Sequence, residues 1–172
     1  MGNISQTPFI PTPPYLATDG IVSANANGTG AVVAGAAYLS PITVFAPVTV
    51  TQIRASFSGS PTGNVDMGIY DSSGSNGLPN NRLGSTGANV AATGLFTKNL
   101  TANLLLSPGN YWIAFLDTVA DALFSRTGYT TGLAPALRTT ATNLTVLPAS
   151  IGTVANGAPI IDIIALLQNS WS

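Results

Sequence analysis

Beyond residue 40 the apolar side chains of this chain recur at every second position, in short runs broken by Gly, Pro and Asn. Ile42, Val44 and Ala46 alternate with Thr43 and Phe45, and Pro47 closes the run. Val65, Met67 and Ile69 share one parity, while Asp66, Gly68 and Tyr70 share the other. A period of two belongs to a strand with one face buried, whereas a helix needs a period near 3.6. Val48–Ser58 changes parity part-way, from Val48 and Val50 to Ile53, Ala55 and Phe57. That change predicts either a bulge near Thr51-Gln52 or a strand that crosses between two sheets. Further strands are expected at Arg82–Thr86, Leu95–Leu106, Tyr111–Leu116 and Ala122–Thr127, and near Leu144–Leu147. A last one covers Pro159–Leu167, with Ile161, Ile163, Ala165 and Leu167 on one face. The best helix candidate, Ala31–Tyr38, lacks charged flanks and carries Gly35, which costs about 1 kcal/mol against Ala inside a helix. Many short strands separated by turn residues predict an all-β fold, an antiparallel β-sandwich of jelly-roll-like topology. Heptads and longer internal repeats are absent, which excludes a coiled-coil shaft and a solenoid.

Residues 1–30 stand apart from this pattern. Pro8, Pro11, Pro13 and Pro14 favour extended backbone and cannot propagate a helix. Interleaved with them are Phe9, Ile10, Tyr15 and Leu16, which a solvated linker does not need. The segment therefore reads as an extended N-terminal arm that lies on something, either a neighbouring molecule or its own domain. Asn25–Gly30 reads as a turn-rich hinge, and residues 31–172 as a single β-sandwich domain. Trp171, near the other end, is expected to dock on this domain or on a neighbouring subunit.

Charge decides which functions remain. Of 172 residues, five are Lys or Arg and six are Asp, and Glu, His and Cys do not occur. The nucleophilic triads, thiol chemistry, imidazole acid–base pairs and usual zinc or haem ligand sets all need residues this chain lacks. No catalytic residue, cofactor or metal ligand is assigned on this reading, and the chain is expected to be no enzyme. Five scattered cations make no surface for nucleic acid or anionic lipid, so neither is expected as a partner. Ser, Thr and Asn together supply 50 residues. A surface so rich in neutral groups, with a net charge of −1, suits a molecule covered by neighbours in an assembly. The first residues have neither the cationic start nor the apolar run of a signal peptide, and Ile160–Leu167 is far too short to span a membrane. Four Asn-x-Ser/Thr triplets, at Asn3, Asn27, Asn99 and Asn143, follow from the composition.

Residues 42–118 run through an apolar strand, then Val-Thr-Val-Thr-Gln-Ile-Arg-Ala-Ser-Phe, Gly-Asn-Val-Asp-Met-Gly-Ile-Tyr-Asp and a polar loop. Arg-Leu-Gly-Ser-Thr-Gly and Leu-Leu-Leu-Ser-Pro-Gly-Asn-Tyr-Trp-Ile-Ala-Phe complete the order. This block resembles the β-sandwich modules of tailed-bacteriophage virion proteins found in capsid decorations, head fibres and tail-fibre tips. Similar modules occur in carbohydrate-binding domains of enzymes. The resemblance implies a virion structural protein made in the host cytoplasm, most simply a capsid decoration (cement) protein. Such a protein assembles as a homo-oligomer, with a trimer favoured, on the major capsid protein or another virion protein. Phe9, Ile10, Tyr15, Leu16 and Trp171 are the expected partner contacts. The alternative is a receptor- or carbohydrate-binding module of a head or tail fibre, with Asp66, Tyr70 and Trp112 as glycan contacts.

Three other features carry a functional reading and a plainer structural one. Asp71–Gly77 spaces oxygen side chains like a calcium loop, but it holds one carboxylate and reads better as a self-bonded turn. Asp162, inside Ile-Ile-Asp-Ile-Ile, calls for a partner such as Arg54, Arg126 or Arg138, or for an edge open to water. Asp117 and Asp121 flank a turn and have the residue type of a glycosidase pair, which demands a defined separation that spacing alone does not set.

Overall fold

A computed structural model describes residues 15–17, 28–126, 137–156, 160–161 and 163–168. It is an antiparallel sandwich of two sheets. The strands are β1 (Tyr15–Ala17), β2 (Gly28–Ala31), β3 (Ala37–Val44), β4 (Val48–Phe57) and β5 (Asn64–Asp71). They continue with β6 (Arg82–Ser85), β7 (Asn89–Val90), β8 (Gly94–Leu106), β9 (Gly109–Asp117) and β10 (Ala122–Arg126). The last are β11 (Leu137–Thr139), β12 (Val154–Asn156), β13 (Ile160–Ile161) and β14 (Ile163–Gln168). In the first sheet β4 lies between β8 and β14, with β1 outside β14; β10, carrying β2 and β13, joins at the end of β4. The second sheet has the order β12-β11-β3-β9-β5-β6, with β7 also on β5.

Consecutive strands β3 and β4 lie in different sheets and pair with β9 and β8 respectively. After β5 the chain stays in the second sheet through β6 and β7.

Inward-facing residues of both sheets form the main core. Ile53, Ala55 and Phe57 meet Val65, Met67, Ile69, Ile113 and Phe115 there, all essentially buried. Phe57 is its centre, edge-on to Phe96 at 5.9 Å and tilted against Phe115 at 6.1 Å. The parity change in β4 is a bulge. Against β14, Thr51 is the residue without a counterpart, since Gln52 pairs with Leu166 and Val50 with Leu167. Against β8 the irregularity is larger: Gln52 pairs with Asn99 and Val50 with Leu104, so Leu100–Asn103 face Thr51 alone. Register sets Ile163 and Ala165 opposite Ala55 and Ile53, and Leu167 opposite Val50.

Two expectations need correction. Leu144–Leu147 is not a strand; it belongs to an irregular segment laid over the outer face of the second sheet. Its apolar spacing reflects burial of Leu147 and Ile151 on that face, not ladder pairing. Gly28–Ala31, which includes part of the expected hinge, is a strand paired with β10. Of the expected arm, Tyr15–Ala17 pairs with β14 of the same chain. Phe9, Ile10, Asp162 and Trp171 lie outside the described residues.

Phe115→Ala is expected to cost about 3–5 kcal/mol in urea unfolding, as a large ring removed from a packed core does. Phe45→Ser, at a position 89% exposed, is expected to change stability by no more than about 0.5 kcal/mol.

Candidate functional site

β9 contains an unbroken apolar run, Tyr111–Leu116, with no parity left for water. Both faces of this strand are accordingly covered. One faces the main core; the other, with Ala37, Leu39 and Tyr70, packs beneath Leu137, Leu147 and Ile151. The covering segment is fastened by polar groups. Asp66 Oδ2 accepts from Leu147 N at 2.9 Å, and Tyr70 OH donates to the Pro148 carbonyl at 2.6 Å. Arg82 Nη1 donates to the Leu147 carbonyl, and Arg82 N to the Ala149 carbonyl. Trp112 Nε1 donates to the Gly77 carbonyl at 3.0 Å, tying down the loop after β5.

The structure thus places the three expected glycan contacts in and beside one buried layer, and overturns the exposure that sugar stacking requires. Asp66 is 1% exposed, Tyr70 0% and Trp112 8%. The polar parity of β5 is polar because it binds this cover. Burial raises the Asp66 carboxyl above its ordinary range, against hydrogen bonding from Leu147 and the charge of Arg82. Burial likewise raises the Tyr70 phenol. The continuous apolar run of β9 is the sequence signal for a face covered on both sides.

The Asp71–Gly77 loop is the self-bonded turn. Asp71 Oδ1 accepts from Ser73 N, Ser73 Oγ and Asn81 N, and Oδ2 accepts from Asn81 Nδ2. Partial burial acts to raise the Asp71 pKa, but these bonds from Asn81 and Ser73 outweigh it and hold the carboxyl below its ordinary range. The stability they supply is complete above the ordinary carboxylate range and lost as acid protonates the folded state. Between this loop and Ile151–Val154 runs an open groove of about 540 Å³. Its walls include Ser73, Asn80 and Thr153, with Leu78 and Ile151, and it carries no charged side chain. No group of three or more His, Cys, Asp or Glu able to hold a metal exists among the described residues.

Asp117 and Asp121 do come together, at the end of the sandwich where β9 leaves the sheet. Asp117 is fully buried, however, with Val119 and the Gly63 backbone against its carboxyl, so its carboxyl is closed off from solvent.

The remaining feature is the surface itself. Arg54, Asp71, Arg82, Lys98, Asp121 and Arg138 are half-buried, and Asp66 and Asp117 are buried. Lys98 lies back over the Phe96 ring, 5.0 Å from its centroid. The exposed large side chains are instead apolar: Phe45 at 89%, Val90 at 73%, Leu105 at 70% and Leu95 at 62%.

Compared with protein-family models and with curated protein sequences, the chain matches none.

Removing the Asp66 anchor, as in Asp66→Ala, is expected to cost about 2–3 kcal/mol, the range for a buried charged hydrogen-bond partner. It should also make residues 140–153 the first site of cleavage in limited proteolysis. Tyr70→Phe should cost about 1 kcal/mol and leave the cleavage pattern nearly unchanged.

Proposed function

We propose that this protein is a non-enzymatic building component of a bacteriophage virion, most specifically a capsid decoration protein that holds neighbouring shell subunits together. The observation that carries this reading is the inverted surface: half-buried charges and open apolar side chains on the described part of the domain. A free monomer is kept soluble by the reverse arrangement. A protein whose surface is covered by neighbours gains about 25 cal/mol for each Å² of apolar area it buries. Binding the assembled shell in preference to its separated subunits would stabilise the shell by mass action. The resemblance of residues 42–118 to virion β-sandwich modules supports the setting. Homo-oligomerisation, with a trimer as the simplest form, fits the same surface.

Mass spectrometry of purified particles tests the reading. Hundreds of copies per particle are expected for a shell component; a few dozen or fewer would reassign the protein to a fibre or tail part, and absence would overturn the proposal. Contacts of this kind offer little charge to screen, so the protein is expected to remain on particles in about 1 M salt. Release under that treatment would count against neutral packing as the means of attachment.

A further inference from the structure

The turn after β9 joins three otherwise separate pieces of chain. Gly35 N donates to the Asp117 carbonyl at 2.7 Å, and Val32 N to the Asp121 carbonyl at 3.2 Å, holding the connection between β2 and β3. Thr118 N donates to the Asn64 carbonyl, and Asn64 N to Thr118 Oγ1, holding the start of β5. Asp121 Oδ2 accepts from Thr62 N at 2.9 Å and Gly63 N at 3.1 Å, while Gly63 passes the tie on to Ala91 through its carbonyl.

At the centre sits Asp117. Its Oδ1 accepts from Val119 N at 3.1 Å, but its Oδ2 is buried without a hydrogen-bond partner among the described residues. Gly63 lies so close that a Cβ there would stand 2.1 Å from Oδ1, leaving no room for a water shell on that side. Of the described titratable groups, Asp121 is the one whose charge bears on it, and Gly63 and the amides of Val119 and Thr118 stand against it. A buried carboxylate with an orphan oxygen beside a second carboxylate is stabilised by taking up a proton.

We propose that Asp117, set beside Asp121, is a proton-operated clasp, closed while the Asp117 carboxyl holds a proton and opened when it ionises, loosening the loops at this end of the sandwich. β10 begins directly after Asp121 and among the described residues is tied to β4 by the single pair Leu123–Phe57. Opening therefore weakens the attachment of β10 and of β2, whose described pairing is with β10. The working range is set by Asp117, pushed up to about 7 first by burial and then by the Asp121 charge, against the N–H groups of Val119 and Thr118. A folded pKa above the unfolded value of about 3.9 gives stability that is complete in acid. That stability is lost as pH rises from the unfolded value up to the folded one of about 7. Coupling to one proton makes the open population grow by up to roughly tenfold per pH unit within that window, and it levels off above it.

Amide hydrogen exchange on the full chain between pH 5 and 8.5, corrected for intrinsic rates, tests the clasp. Protection of Val32, Gly35, Thr62 and Gly63 is expected to fall by up to roughly tenfold per unit from pH 5 to about pH 7 and to level off above it. Ile69 and Ile113, in the middle of the second sheet, should not follow. Asp117→Asn keeps the shape without the charge and should abolish the dependence. Asp121→Asn removes the neighbouring charge and should move the levelling-off to lower pH. Loop protection that tracks the sheet centre in the wild type, or an unchanged profile in Asp117→Asn, would overturn the proposal. Should that variant fail to fold, an unmoved levelling-off in Asp121→Asn does the same.

Discussion

A sheet buried on both faces must find something to cover its second side, and this requirement organises the molecule. β5 and β9 present apolar groups to the main core and a second set, with Tyr70 and Trp112, to the opposite face. The irregular segment through Leu144–Ile151 supplies the cover, but as non-ladder backbone it carries polar groups that must be satisfied one at a time. Asp66, Tyr70 and Arg82 satisfy them from the sheet side. What looks like a row of functional residues along β5 is therefore the fastening of the second core.

Much of the architecture was legible because a strand with one buried face writes its parity into the sequence. β4, β5, β6, β8, β9 and β10 fall within a few residues of their expected places, and the Thr51 bulge is visible as a parity change. The Leu144–Leu147 segment was misread because alternation reports which side chains are buried, not whether the backbone pairs. The placement of Asp66, Tyr70 and Trp112 failed for a related reason. A polar residue opposite an apolar parity is solvent-facing only if nothing lies across it, and a segment some 80 residues later does. The meeting of Asp117 and Asp121 was equally invisible, since its consequence depends on the backbone of Thr62 and Gly63 arriving from another loop.

The scarcity of ionisable groups takes on a more specific meaning in three dimensions. Of the described ones, Asp66 and Arg82 are employed on the cover, Asp71 in its turn, and Asp117 and Asp121 at the end of the sandwich.

A surface with half-buried charges and open apolar side chains invites indiscriminate sheet growth, above all along β8, whose described pairing is with β4 alone. The four residues Leu100–Asn103 against the single Thr51 put a bulge midway along this strand. A straight incoming strand finds donors and acceptors in register over only part of that length. The irregularity thus works as a safeguard against fibre formation, performing by shape what charged edge residues perform in more ionic proteins.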